Sequence, residues 1–336
     1  MEQWIMTLIM PNFGDGGFAS DLRQAVLKNK HLDDVTKDRF KKTLSDSMQS
    51  NINLLFIGHE DVGLQTTISA IFKEIDKPQL REEQHSRHSG TISRFGLTGM
   101  SLWCCEISGN DFNDHQKRFQ VRSLLEETDQ NGAPLIDLVI PVFNASRLQP
   151  ENGIQLLNDW ILPSLGRNPE HRLLMLANHT DRLNESLSQL GSLHNMVQDG
   201  ELNMDVLSAS LRYQLIERFG IDTRPLFCAT EPEVGGPFNL IKILTAMVSK
   251  LSAEKRPQLL NQLLARGLSA FAFNDGKHVY QHQIENAIFD SFFPGQKNGG
   301  RVGDRLGSNL DINGQVAGRL IQSGVNRILG LSHGAL

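Results

Sequence analysis

The chain has 336 residues, of which 39% are hydrophobic and 21% charged, and its formal net charge is −5. That length buries a sizeable core in one large domain, or one plus a smaller one, and the acidic balance argues against a nucleic-acid binder, which carries net basic surface. Cys104, Cys105 and Cys228 are too few and too unevenly spaced for a disulfide framework or a metal cluster, which fits a reducing, cytoplasmic compartment.

The N-terminal MEQWIMTLIM is apolar but short, carries Glu2 instead of a basic run, and reaches Pro11 before any small-residue cleavage site, so it does not read as a signal peptide. No stretch approaches the roughly 20 apolar residues of a membrane span. Gly14, Gly16 and Gly17 form a turn before a charged helix over about 20–48, with Leu22, Val26, Leu32, Val35, Phe40 and Leu44 on its apolar face and a candidate break near His31. Residues 1–48 thus read as an N-terminal helical appendage.

The next stretch organises the rest. An apolar run, Ile52 and Leu54 to Ile57, predicts a buried strand; Gly58, four residues and Gly63 follow; then Ile68, Ile71 and Phe72 predict a helix. Strand, tight glycine loop and helix is the layout in which backbone N–H groups face an anion at a helix N-terminus. The chemistry departs from the spacing, because Leu64 stands where a lysine is expected and Gln65 where a serine or threonine is expected.

Residues 73–90 are polar, charged and without periodicity, as in a loop that responds to a ligand. Thr91–Leu97 and Ser101–Ile107 flank Thr98 and Gly99 and predict an antiparallel hairpin. A helix carrying Phe119, Val121, Leu124 and Leu125 precedes the apolar run Leu135–Phe143, typical of a strand buried on both faces. A helix over about 152–165, a strand over 172–177 ending in Asn178-His179-Thr180-Asp181, and a polar insertion over 182–203 come next. Residues 206–219 predict a helix, 225–229 a strand and 238–251 a helix. Alternation of this kind implies a doubly wound, mostly parallel α/β sheet with its site at the strand C-termini. Beyond Ala253 the periodicity is all helical, so the expected domains are 1–48, 49–255 and a C-terminal helical extension over 256–336.

With these loops placed, residues 50–252 resemble a GTPase domain of the Ras-like and Era-like P-loop superfamily. The motifs occur in family order: Gly58-His-Glu-Asp-Val-Gly63-Leu64-Gln65 as the phosphate loop, Thr91 in the mobile loop, Glu106-Ile-Ser-Gly109 for Asp-x-x-Gly, Asn178-His179-Thr180-Asp181 for Asn-Lys-x-Asp, and Cys228-Ala229-Thr230 for Ser-Ala-x. The resemblance implies a site for GTP or GDP built from Gly58, Gly63, Leu64, Gln65, Thr66, Gly109, Asn178, His179, Asp181 and Ala229. It further implies that Asp181 accepts from the guanine edge, that Asn178 braces the loop, and that His179 stacks where a lysine stem usually lies.

The same resemblance marks the departures. Leu64 removes a cation from the phosphates, a loss on the order of 2 to 5 kcal/mol if uncompensated; Arg87 and Arg94 are candidate replacements. Gln65, Thr91 and Glu106 are the candidate metal-side groups, and Gln65 is a poor magnesium ligand beside Thr66. Glu60 and Asp61, following His59, put acidic groups where an anion would sit. Glu106 and Asn110 are the candidate catalytic residues, with Asn110 too short to place water well. The sequence therefore points to a degenerate GTPase, with weak or absent hydrolysis and magnesium disfavoured, serving a regulatory or scaffolding role in a protein assembly. A nucleotide-free interaction module and a GTPase completed by a partner or second protomer are the alternatives.

Other chemistry is weaker. Strand alternation sends Cys104 and Cys105 to opposite faces as inert thiols, His85 and His88 have no third ligand nearby, and no G-x-S-x-G elbow supports a hydrolase. In the tail, Gly303, Gly307, Gly314 and Gly318 have small-xxx-small spacing, and Ile312, Val316, Leu320, Ile321, Val325, Ile328 and Leu329 form an apolar face. Residues 301–336 are thus expected either to dock on a partner or membrane surface or to fold against their own domain.

Overall fold

The computed structural model describes residues 17–72, 92–97, 99–109, 111, 114–146, 151–182, 200–231, 237–263, 277–294 and 312–329. Thr91, Asn110, Arg87, the loop expected at 73–90 and most of the expected insertion lie outside them.

The apolar runs of the sequence become one six-stranded sheet: β1 (Ile52–His59), β2 (Ser93–Leu97), β3 (Met100–Ile107), β4 (Leu138–Asn144), β5 (Leu176–Asn178) and β6 (Leu226–Phe227), in the order β2-β3-β1-β4-β5-β6. β2 is antiparallel to β3 and every other pairing is parallel. The strand expected at 172–177 forms in two pieces, a parallel bridge from Leu173 to Val139 and then β5 from Leu176. Pro141 accounts for the gap. Val139 N donates to Arg172 O and Leu174 N to Val139 O, and the next donor along that edge of β4 belongs to a residue with no N–H.

Both faces of the sheet are covered, as parallel strands require. On one face α4 (His115–Glu126), the segment starting with α5 (Glu151–Leu156), and Leu215 of α6 (Gly200–Phe219) pack on Leu55, Ile57, Trp103 and Val139. The helix expected at 152–165 is α-helical only to Leu156, then widens to a π turn over Leu157–Ile161 and tightens to a 3-10 turn over Leu162–Ser164. The opposite face, through Leu54, Phe56, Leu102 and Ile140, carries α3 (Leu64–Ile71), α7 (Leu240–Lys250) and a layer of helices from both chain ends. Cys104 falls in this second core and Cys105 in the first, and burial pushes both thiols up to about 12.

That layer comprises α1 (Phe18–Lys28), α2 (Asp34–Gln49), α8 (Arg256–Asn261), α9 (Lys277–Phe292) and α10 (Ile312–Ile328). Asp33 caps α2 by accepting from Thr36 N at 2.7 Å, which fixes the break near His31. The two chain ends interlock. Asn261 Oδ1 accepts from Ala19 N, Ser47 Oγ accepts from Gln258 N, and Phe40 stacks on Phe292 at 4.4 Å between ring centres. Arg327 pairs with the buried Asp21, and a Cβ on Gly324 would lie 3.0 Å from the Phe18 ring, so α10 lies close against α1. Leu320, Ile321, Val325 and Leu329 of the expected apolar face, together with Ala317, are buried in this layer, so of the two expectations for this face these residues follow the second and fold against their own chain. Among the described residues no helix is long and apolar enough to cross a membrane.

Candidate functional site

The order of strands reverses around β1, and in open α/β sheets ligands sit outside the strand C-termini at such a point. Here that position is occupied by Gly58–Gly63. Gly58 is required by close approach, since a Cβ would meet the Val142 carbonyl oxygen at 2.6 Å and Val62 Cγ2 at 2.8 Å. Gly63 is left-handed, with φ 72, and caps the N-terminus of α3. A Cβ on Gly63 would lie 2.9 Å from Asn178 Nδ2 and 3.4 Å from His179 Nε2. The residues after β5 therefore close directly over the glycine loop, and this juxtaposition is the centre of the site.

Asn178 is fully buried and joins three segments. Its Nδ2 donates to Val62 O at 3.0 Å, and its Oδ1 accepts from Thr230 N at 3.1 Å and Thr230 Oγ1 at 3.2 Å. His179, with φ 63, adopts a conformation rare outside glycine, and its ring donates to the Asp61 carbonyl. Desolvation first, and then Arg182, hold its imidazole below the ordinary histidine range against the pull of Asp181 and Asp61. Asp181 lies exposed in the short turn Thr180–Arg182. Ala229 is buried, and its N–H donates to Phe238 O at 3.3 Å while Phe238 N donates back to Ala229 O at 2.8 Å.

On the phosphate side, Leu64 is 1% exposed and packs into the core beneath α3. Gln65 points to solvent. The hydroxyls of Thr66 and Thr67 both donate to Gly63 O, at 2.9 and 2.7 Å, and Thr67 Oγ1 is 3.5 Å from Thr230 Oγ1. Glu106 is exposed beside Gly58 in the β1–β3 register, and Gly109 is exposed beyond it. The candidate metal groups Gln65 and Glu106 therefore stand in solvent, and among the described residues no group of three or more His, Cys, Asp and Glu side chains could hold a metal ion. Arg94 stacks on Trp103 and donates to Ser101 Oγ at 3.0 Å, and Ser101 pairs with Asn53 at the far end of β1 from the glycine loop.

Sequence reading missed several participants. Lys117 of α4 donates to Glu106 O at 2.8 Å and pairs with Asp111 at 2.7 Å, which holds the Asp111 carboxyl below its ordinary range. Asn144, at the end of β4, donates to Asp61 O at 3.4 Å. Thr230 completes the Asn178 bracket. Asn144 was legible, because it ends a buried strand at the switch point, and Thr230 stood in the Cys228-Ala229-Thr230 loop without an assigned role; nothing local marks Lys117.

Among solved structures, the FeoB G-domain from Methanococcus jannaschii aligns at 16% identity over 60% of this chain and 98% of its own, with a TM-score of 0.32. Toc33 from Arabidopsis thaliana, in complex with Mg2+ and GMPPNP, aligns at 13% identity over 82% of this chain and 98% of its own, with a TM-score of 0.31. LeoA, a bacterial dynamin GTPase from ETEC, gives 11% identity, 79% and 45% coverage, and a TM-score of 0.39. No protein-family model and no curated protein sequence matches the chain. With TM-scores this low the likenesses carry no argument of their own. The P-loop GTPase-like α/β fold rests on strand order, the single antiparallel strand and the glycine junction between β1 and α3.

Proposed function

We propose that this chain is a GTPase-like protein with a degenerate nucleotide site, hydrolysing GTP weakly or not at all, and acting as a regulatory or scaffolding component of a protein assembly. The burial of Leu64 carries this reading: at 1% exposure its side chain belongs to the core and not to a phosphate. The residues present do not fit a triphosphate with its magnesium. The threonine hydroxyls after the loop are bonded to Gly63 O, the loop carries Glu60 and Asp61, and Gln65 and Glu106 face solvent. The base side fits better, through the exposed Asp181 beside the bracing Asn178.

A second reading, the nucleotide-free interaction module, is favoured by the contacts that close the site internally: His179 on the Asp61 carbonyl and the Ala229 N–H on Phe238 O. The test is to identify any nucleotide that co-purifies, then to titrate GTP, GDP and ATP with and without Mg²⁺ by calorimetry, with a single-turnover assay of phosphate release. Weak guanine preference without a magnesium effect supports the first reading, and no binding at millimolar nucleotide supports the second. Magnesium-dependent GTP hydrolysis that Glu106→Ala abolishes would overturn both.

A further inference from the structure

Beside the glycine loop, on the face of the sheet opposite the terminal helices, lies a cavity of about 210 Å³ that the nucleotide reading does not use. Its floor is the ends of β4, β5 and β6, with Met175, Ala177 and Phe227; its walls are Ile154 and Leu157 from one side and α6 from the other. The wall at Leu157 is the start of the π turn, a helical irregularity that often accompanies ligand sites. Its polar side chains are His59, Asp61 and Asn144 beside the glycine loop, and Ser210 and Gln214 on α6.

We propose that this cavity is a binding site for a small, uncharged, largely apolar molecule with one hydrogen-bonding group, and that its occupancy is felt by the glycine loop. Size sets the class. An apolar cavity of about 150 Å³ holds benzene, so this one takes roughly two fused rings or a branched aliphatic body of similar bulk. About ten heavy atoms in such a site bind with a dissociation constant on the order of 0.1 to 1 mM. The hydrogen-bonding group faces His59, Asp61 and Asn144, which cluster beside the glycine loop, because apart from these and Ser210 and Gln214 on α6 the lining is aliphatic and aromatic, and Ser210 is exposed.

Coupling follows from shared residues. Asp61 and Val62 line the cavity, and their carbonyls are the same two that hold the site together: Asp61 O accepts from Asn144 Nδ2, and Val62 O accepts from Asn178 Nδ2. A molecule seated in the cavity bears on both. This holds whether or not a nucleotide binds.

The test uses the full chain, labelled at methyl groups and side-chain amides, titrated with indole and separately with 2-naphthol. Saturable shifts are expected for the methyls of Ile154, Leu157, Leu211 and Leu215 and for the Asn178 amide, while those of Leu22, Ile288 and Val325 in the opposite layer stay still. Leu211→Trp, at a half-buried rim position, should fill the cavity and weaken binding roughly tenfold. Leu207→Phe is the second filling variant, and it decides the matter if Leu211→Trp fails to fold. Absence of saturable shifts up to about 5 mM probe, equal shifts in both layers, or unchanged affinity in the folded variants overturns the site. Shifts in the cavity methyls with a still Asn178 amide overturn the coupling.

Discussion

Replacing Leu64 with lysine tests whether the glycine loop lacks only a side chain or has been rebuilt around its absence. Leu64 is 1% exposed and shares a core with Val62, Ile68 and Leu240. Losing that burial costs about 1.5 to 3 kcal/mol. The new ammonium then either stays in the core, at about 1.4 kcal/mol for each unit its pKa is held below the solution pH, or turns outward and shifts the first turn of α3. Leu64→Lys should therefore destabilise the protein by about 3 to 5 kcal/mol. It should also gain no nucleotide affinity. Urea unfolding of both proteins gives the first quantity, and calorimetry with GDP and GTP, with and without Mg²⁺, gives the second. A variant within about 0.5 kcal/mol of the parent that binds GDP at micromolar concentration would refute the reasoning, since residue 64 would then reach the anion.

Asn178→Ala leaves Val62 O and Thr230 N–H buried without their partner, so it should cost about 2 to 5 kcal/mol in urea unfolding; a loss below about 0.5 kcal/mol would remove the bracing role. Because the His179 pKa is lowered in the folded protein, the unfolded chain takes up its proton first: stability from this group is full above pH 6.5 and falls as the pH drops below that value. Urea midpoints between pH 7.5 and 5.5 should therefore fall less in His179→Gln than in the parent, and identical pH profiles would refute the assignment. Removing residues 312–336 strips Ala317, Leu320, Ile321, Val325 and Leu329 from the core, which should cost about 5 kcal/mol or more. A melting temperature unchanged by that truncation would show that α10 does not hold α1 and α9.

What the sequence made legible was set by local rules. Apolar runs bounded by glycine located the strands, and the β1–α3 junction followed from Gly58 and Gly63 because backbone geometry alone demands glycine there. The described motif residues lie at or just beyond the ends of β1, β3, β5 and β6 on the same edge of the sheet, which is where the sequence pattern placed them. Contacts between distant segments were not legible. Asn261 caps α1 across 242 positions, and Arg327 reaches Asp21 across 306, so the two chain ends read as separate appendages although they pack as one layer. Leu64 showed the loss of a cation but not the destination of the side chain, which depends on the core assembled beneath α3. Pro141 was visible in the strand, yet its effect on the β4–β5 ladder depends on which edge its missing N–H would face.

The contacts that close the glycine loop bear on how the site proposed here as degenerate keeps its order. In an anion-binding loop the ligand supplies acceptors for N–H groups at the helix start, and the segments around it gain order from the ligand. Here the loop carbonyls and the segments after β5 and β6 are also joined by protein groups: Asn178 holds Val62 O and Thr230, His179 and Asn144 donate to the Asp61 carbonyl, and Ala229 pairs with Phe238. Each buried polar group satisfied in this way avoids a penalty of about 1 to 3 kcal/mol, so the arrangement does not depend on a nucleotide for its order. A guanine nucleotide would have to displace some of these bonds, the Ala229 N–H pairing foremost if that amide is to meet the base. Its binding would then be weakened by the cost of breaking them, and any signal it carried would be the release of Asn178, His179 or Ala229 from these partners. On the proposed reading of the chain as a regulatory component, its resting state is this closed arrangement, and the decisive measurement is of the hydrogen bonds of residues 178, 179 and 229 with nucleotide added, ahead of any rate of hydrolysis.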